Sequence, residues 1–481
     1  MNSDLTVFNR EGIKVPDALV KKEYQTIKQF LLDHHSSDAD TVAIKQTKDY
    51  RYLLTMLACA EIGTTYIPLK PDYPMDRVSQ IKEDSKFTVL MDDEKMSEVL
   101  AYTEKLKTEL PVVSGAKNVY VIFTSGSTGR PKGVIIRRSS LENFLGFMDQ
   151  TFTQVTAQDR LLQMTEFSFD LSVMDVALFL TKNVGMYFSN FENNIFKLGF
   201  EIDTHRISVL NTVPNTLNMF LSDAVADRMD YHCLRVLNIG GARFSQGLYE
   251  KCLNYLKPEN VDIYNFYGPT EATVYCHYHK LTHDPALDLK GSTITIGHTI
   301  PGNKALIVAD GVTLGPDQPG ELYIGGLQLM REYINSPEQT KNALVQYEGE
   351  TYYRSGDLAF RNEKGEFFIT GRADDTIKHK GFRINLLDID SYITRLPYIE
   401  DSVTIAIPNE NTENQTLGFI ILKEQKTAKE IKKDLEALLL DYQIPEKMFF
   451  VEKYPTNVSG KVCRKSLKEQ YLNNLTTTKA L

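Results

Sequence analysis

The chain has 481 residues, 42% of them hydrophobic, and a formal net charge of −9. That length can bury more than one core, and an acidic balance without a long basic tract excludes nucleic acid as an expected partner. The five cysteines (59, 233, 252, 276 and 463) are scattered with no CxxC pair, and no run of 18 apolar residues occurs. We therefore expect reduced thiols, a cytoplasmic protein and no membrane association.

In chain order, Tyr24–Leu32 and Leu53–Ile62 carry helical spacing of apolar residues, the second ending at Gly63. A strand from Thr65 then stops at proline, and this alternation predicts layered α/β sheets. Val119–Phe123 reads as a buried strand, Thr124–Gly133 as a loop, and Val134–Ile136 as strand again, with Ser139 and Glu142 spaced as a capping box. The loop reads TSGSTGRPKG from Thr124. Glycines let backbone N–H groups turn inward, and Ser, Thr and Lys132 add donors and charge, which suits a polyphosphate; a flexible hairpin would carry the same composition. It is not a Walker A loop, because Lys132 is followed by Gly133.

Further on, Asp170 precedes a helical pattern (Val173, Val176, Ala177, Leu180) and could simply cap it. Arg235–Ile239 is a strand running into Gly240, Gly241 and Ala242, and Asp262–Thr273 is a strand ending in a Gly-Pro turn. Turns at strand ends in such sheets form ligand crevices. His277 and His279 share a strand face near Cys276, but no second ligand pair accompanies them, so an ordinary strand is expected. From Gly320, short alternating strands predict a small barrel-like subdomain, and Asp357 on a tight turn could accept two hydroxyls. Strands Ser402–Ile407 and Leu417–Leu422 and a charged helix Ala428–Leu439 predict a small α+β unit near the end.

Taken together, the strings YIPLKPDYPMDR, TSGSTGRPKG, FDLSVMD, YGPTEAT, YRSGDLA, GRADDTIKHKGFRI, LLDYQIPEKMF and NVSGKV resemble, in order, the motifs of the adenylate-forming superfamily, which includes acyl-CoA synthetases, luciferases and nonribosomal adenylation domains. The resemblance implies a large N-terminal adenylation core over 1–373 and a small mobile C-terminal lid over 374–481, hinged at Asp374. It implies ATP and Mg²⁺ as cofactors. The nucleotide would contact Thr124, Ser125, Gly126, Ser127, Thr128, Gly129, Lys132, Gly240, Gly241, Ala242, Asn265, Tyr267, Asp357 and Arg372. Tyr267 would stack on adenine and Asp357 would hold the ribose. Thr270 would touch the phosphates, Glu271 would hold Mg²⁺, and Lys461 would be the catalytic lysine. FDLSV is similar to the amino-acid-activating version, in which Asp170 pairs with the substrate ammonium group. The side-chain pocket would be lined by Leu171, Met174, Asn211, Leu237, Ile239, Phe266, Gly268, Val274 and Tyr275. Two features depart from the pattern: Ala242 replaces an acidic residue and Cys463 an aspartate.

The resemblance therefore implies a free-standing enzyme that activates a small neutral amino acid and passes it to the phosphopantetheine thiol of a separate carrier protein. Asn211 would recognise a substrate hydroxyl, placing threonine, serine and alanine ahead of valine. A D-alanyl carrier-protein ligase is the alternative, followed by an acyl- or aryl-CoA ligase, against which Asp170 argues.

Overall fold

The computed structural model describes residues 5–34, 41–102, 117–124, 131–189, 195–222, 231–256, 260–373, 376–379, 382–408, 414–439, 441–456 and 462–477. The expected hinge Asp374, the expected catalytic residue Lys461 and loop residues Ser125, Gly126, Ser127, Thr128 and Gly129 lie outside them.

The large sheet has eight strands, in the order Val7–Phe8, Gly185–Phe188, Arg160–Gln163, Val209–Thr212, Val236–Ile239, Asp262–Tyr267, His277–Lys280 and His298–Thr299. Its first six strands are parallel, and His277–Lys280 pairs antiparallel with the neighbours on both its sides. Both faces are buried. Leu161, Val209 and Val236 join one hydrophobic cluster, while their neighbours Leu162, Leu210 and Leu237 join another. Burial on both faces explains why these strands read as continuous apolar runs rather than alternating ones.

A six-stranded second sheet contains Thr41–Lys45, Thr65–Pro68, Val89–Asp92, Asn118–Thr124, Lys132–Arg137 and Glu332–Tyr333. The helix Tyr50–Ile62 is capped by Asp49, whose carboxylate accepts from the backbone of Arg51 and Tyr52, and it ends at Gly63 in the left-handed conformation. The capping box expected at Ser139 is corrected. The helix runs Arg138–Thr151 with Arg137 in the cap position and no side-chain cap bond. Ser140 is used instead to tie this helix to the loop at 327–329, its hydroxyl donating to the carbonyls of Leu327 (2.8 Å) and Leu329 (3.1 Å).

The expected barrel is a bent antiparallel sheet in which Asn303–Ala309, Gly320–Gly326 and the long strand Glu350–Arg361 are central. Its ends, Val312–Thr313 and Leu344–Tyr347, meet through side chains, Thr313 Oγ1 lying 2.9 Å from the Tyr347 hydroxyl. The unit from 376 onward has its own sheet (Ile399–Pro408, Asn414–Leu422, Lys447–Phe450) and its own hydrophobic clusters. Its helix Ala428–Leu435 opens on a capping box of Thr427 and Glu430. Among the described residues, no helix is long and apolar enough to cross a membrane.

Candidate active site

The strand Asp262–Tyr267 delivers the segment Gly268–Tyr275 to the C-terminal edge of the large sheet. This segment is tightly packed. A Cβ on Gly268 would lie 2.5 Å from Tyr275 Cα and 2.6 Å from the Val274 carbonyl, so only glycine fits. Thr273 and Val274 both have positive φ, 54° and 67°. For β-branched residues this is a real outlier, costing on the order of 1–3 kcal/mol each, and it persists only where the surroundings over-determine it.

Two carboxylates meet here. Asp170 stands at the start of the helix Leu171–Lys182 but makes no side-chain cap bond. Its carboxylate accepts a hydrogen bond from Thr270 Oγ1 instead. Glu271, next in sequence, accepts from the Tyr333 hydroxyl at 2.5 Å. Burial raises the proton affinity of Glu271 and the charge of Asp170 adds to it, against the opposing Tyr333 and Tyr353 hydroxyls. Such a pair invites cations. Lys132 Nζ lies 5.3 Å from the centre of the Tyr333 ring, which links the loop lysine to Glu271 through one aromatic side chain.

On the nucleotide side, the Tyr267 hydroxyl donates to Asp357, and Arg372 Nη1 donates to the same carboxylate at 3.0 Å. Asn265 is buried and donates to the Thr295 carbonyl at 2.8 Å. Gly240 ends the strand Val236–Ile239, and an ideal Cβ there would lie 2.3 Å from the Tyr275 hydroxyl. Tyr275 thus reaches across to the glycine turn, with its ring stacked on Phe266 at 4.9 Å.

The expected side-chain pocket is divided by the sheet. Leu171, Met174, Phe266, Val274 and Tyr275 belong to one cluster, whereas strand alternation turns Leu237 and Ile239 into the other. Asn211 lies on the first side and is fully buried. It donates to Asp175 at 2.5 Å and accepts from Asn238 at 2.6 Å. Its carbonyl and one N–H are thus committed to buried neighbours, which leaves at most the second N–H for the substrate hydroxyl it was expected to read.

Tyr333, Tyr353 and Gln328 escaped the sequence reading. Gln328 Nε2 lies within 2.7–3.4 Å of the carbonyls of Ala272, Thr273 and Tyr275. Nothing in local spacing marks these residues, because their partners are some 50–80 positions away in the chain.

A paired-carboxylate turn, an aspartate-bound tyrosine and a glycine-ended strand are what the residues of the adenylate-forming motifs build here. The sequence profile of the AMP-binding enzyme family matches residues 20–334, and that of the AMP-binding enzyme C-terminal domain matches 388–461. The chain belongs to the AMP-binding enzyme family. It is 30% identical to bacitracin synthase 3 of Bacillus licheniformis over 445 residues, spanning 89% of this chain and 7% of that one. It is 28% identical to a dimodular nonribosomal peptide synthase of Bacillus subtilis, spanning 95% of this chain but 20% of that protein. Against the D-alanine–D-alanyl carrier protein ligase of Bacillus cereus it is 28% identical over 96% of both chains. The fold matches Klebsiella oxytoca NpsA in complex with 3-hydroxyanthranilyl-AMSN, with a TM-score of 0.83 and 17% identity over 98% and 96% of the two chains. It also matches a four-domain nonribosomal peptide synthetase bound to AMP and glycine, with a TM-score of 0.80 and 24% identity over 96% of this chain and 35% of that one.

Proposed function

We propose that the enzyme activates a small neutral amino acid as its aminoacyl-AMP and transfers it to the thiol of a separate phosphopantetheinylated carrier protein. The observation that carries this reading is Asp170. It sits where a helix cap would be, does not cap, and turns its carboxylate to Thr270 beside Glu271. A carboxylate so placed suits the substrate ammonium group. The neighbouring Glu271 suits Mg²⁺, a hard cation that would take its other ligands from phosphates and water and neutralise their charge.

In the first step the substrate carboxylate oxygen attacks the α-phosphorus of ATP, forming the acyl-phosphate bond and expelling pyrophosphate. In the second a thiol attacks the acyl carbon, AMP leaves, and the thiol proton passes to solvent. Such chemistry needs positioning and charge stabilisation above all. Lys132 and its loop would hold the outer phosphates, Asp357 and Tyr267 the nucleoside, and Lys461 the charge shared between the substrate carboxylate and the α-phosphate.

The crowding of Tyr275 against Gly240 and the commitment of Asn211 favour alanine over serine and threonine, and any of these over large side chains. A D-alanine ligase is the second reading, supported by the matched length of the Bacillus cereus relative. ATP–pyrophosphate exchange across both enantiomers of the amino acids tests both. Exchange with alanine but not with propionate is expected. Preferred exchange with a fatty acid, benzoate, phenylalanine or lysine would overturn the reading.

A further inference from the structure

We propose that Gln328 is a positioning residue whose single buried amide sets both the carboxylate of Glu271 and the Tyr275 wall of the amino-acid pocket. The inference rests on the proposed reading of residues 270–275 as the segment that contacts nucleotide and substrate.

Gln328 follows the strand Gly320–Gly326 and is 1% exposed. Its Nε2 is shared among the carbonyls of Ala272 (3.4 Å), Thr273 (3.1 Å) and Tyr275 (2.7 Å). Its Oε1 accepts from Asn303 (2.6 Å) and Asn143 (3.2 Å). Two N–H groups facing three carbonyls, and two lone pairs facing two amides, use the whole hydrogen-bonding capacity of the side chain and fix its orientation. The backbone completes the clamp. Thr273 Oγ1 donates to the Gln328 carbonyl at 2.7 Å, and Met330 N–H donates to the Glu271 carbonyl at 2.7 Å.

The clamped stretch is the one that holds Thr273 and Val274 at positive φ. Those two residues turn the chain between Glu271 on one side and Tyr275 on the other. Without the amide, the turn can relax toward ordinary backbone, and both side chains would move. Misplacement of this kind, on the order of 1 Å, costs about 10²-fold in rate. One residue, remote from the chemistry in sequence, thus couples metal-side geometry to pocket size.

The test compares wild type with Gln328→Met, which keeps the length and removes the hydrogen bonds, and Gln328→Glu, which, kept neutral by burial, offers one donor in place of two. Pyrophosphate exchange is measured with alanine and valine over a range of MgATP concentrations. Both variants are expected to lose about 10–100-fold in kcat, to raise the KM for MgATP, and to narrow the alanine-to-valine preference. Asn303→Ala, which loosens the amide without removing it, should move all three in the same direction by less, and it serves if the Gln328 variants do not fold. A lower melting temperature with unchanged kcat, KM and preference in the folded variants would overturn the clamp alone. A wild-type enzyme that activates no amino acid would overturn the functional reading and the clamp together.

Discussion

The segments Gly268–Tyr275 and Thr456–Arg464 are each proposed to bring a charged group to the phosphates, and they are anchored differently. The first is stitched into the main core: Cys276 N–H donates to the Tyr267 carbonyl at 2.9 Å, Met330 N–H to the Glu271 carbonyl, and Gln328 to three more. Of the second, the described residues form a short stem, a bridge between Thr456 and Val462 and a bond from Cys463 N–H to the Pro455 carbonyl at 2.8 Å. Arg464 then pins the stem to Asp390 at 2.8 Å, inside a separate core. Links from that unit to the rest include Arg243 to the Leu387 carbonyl and Arg395 to Ser292, both exposed. Exposed bonds of this sort contribute little net free energy. On the proposed reading, groups needed in both half-reactions sit in the rigid segment, and the group needed in one sits on a part that can leave.

The largest expected effect breaks the rigid side. Asp170→Ala would leave the substrate ammonium group unpaired, and loss of one partner of a buried ion pair costs about 3–5 kcal/mol. Exchange with alanine should fall by a corresponding factor of about 10²–10⁴. A variant that keeps wild-type kcat/KM for alanine would remove the ammonium role. Next comes the other segment. Lys461→Ala should lower adenylation by about 10²–10³, the typical worth of one preorganised donor, while transfer of preformed aminoacyl-AMP to the carrier thiol continues. Equal loss in both half-reactions would erase the contrast between the two segments.

The same contrast governs what the sequence could reveal. The strand before each glycine turn and the helix closed by Gly63 were legible because their signals are local: β-branched runs, capping residues, helical spacing. Asp170 was singled out only through the motif around it, since its local pattern alone predicted a cap bond that the structure does not form. Ser139 failed for the same reason in reverse, a good local cap signal overridden when Ser140 was recruited by the loop at 327–329. Gln328 and Tyr333 were invisible because their hydrogen bonds close loops of more than fifty residues. Asn211 was named only through the motif alignment, and a one-dimensional reading could not show Asp175 and Asn238 already holding its amide.

A smaller effect concerns the stem. Arg464→Ala removes a charged hydrogen bond worth about 1.5–3 kcal/mol and leaves Asp390 facing Thr404 without its cation. Burial already pushes the Asp390 carboxyl up to about 6, with Arg464 the main opposing influence. Without the arginine it should rise further. The native variant then keeps a proton that the unfolded chain has released, so its stability falls as pH rises above about 4. Melting should therefore show a deficit relative to wild type that is small at pH 5 and larger at pH 8. Adenylation should fall several-fold more than thiol transfer if the stem serves Lys461. A pH-independent deficit, or equal loss of both activities, would make Arg464 a packing residue only.

The smallest expected effect is at Asp175, beneath the proposed pocket. Asp175 is fully buried, and desolvation pushes its carboxyl up to about 8. Asn211 donates to one of its oxygens. The other oxygen, and Oε1 of the neighbouring Gln163, are buried acceptors without a hydrogen-bond partner among the described residues. Gln163 is close enough to hydrogen-bond this carboxyl: the ionised form would accept from its amide, whereas the protonated acid would satisfy both leftover oxygens by donating to Gln163 Oε1. At pH 7 the unfolded chain holds this carboxyl ionised while the folded chain keeps it protonated, so folding takes up a proton. Stability contributed by the group is full below about pH 4 and is lost progressively as pH rises toward 8. Asp175→Asn supplies the same two partners without titrating: its carbonyl accepts from Asn211 and its amide donates to Gln163. The variant should match wild type near pH 5 within about 1 kcal/mol, become the more stable of the two near pH 8.5, and change alanine exchange by less than a few-fold. Urea melts at the two pH values decide the matter. A variant destabilised equally at both would show that Asp175 is ionised and paired in the native protein, with Lys48, whose charge acts on it, as the partner.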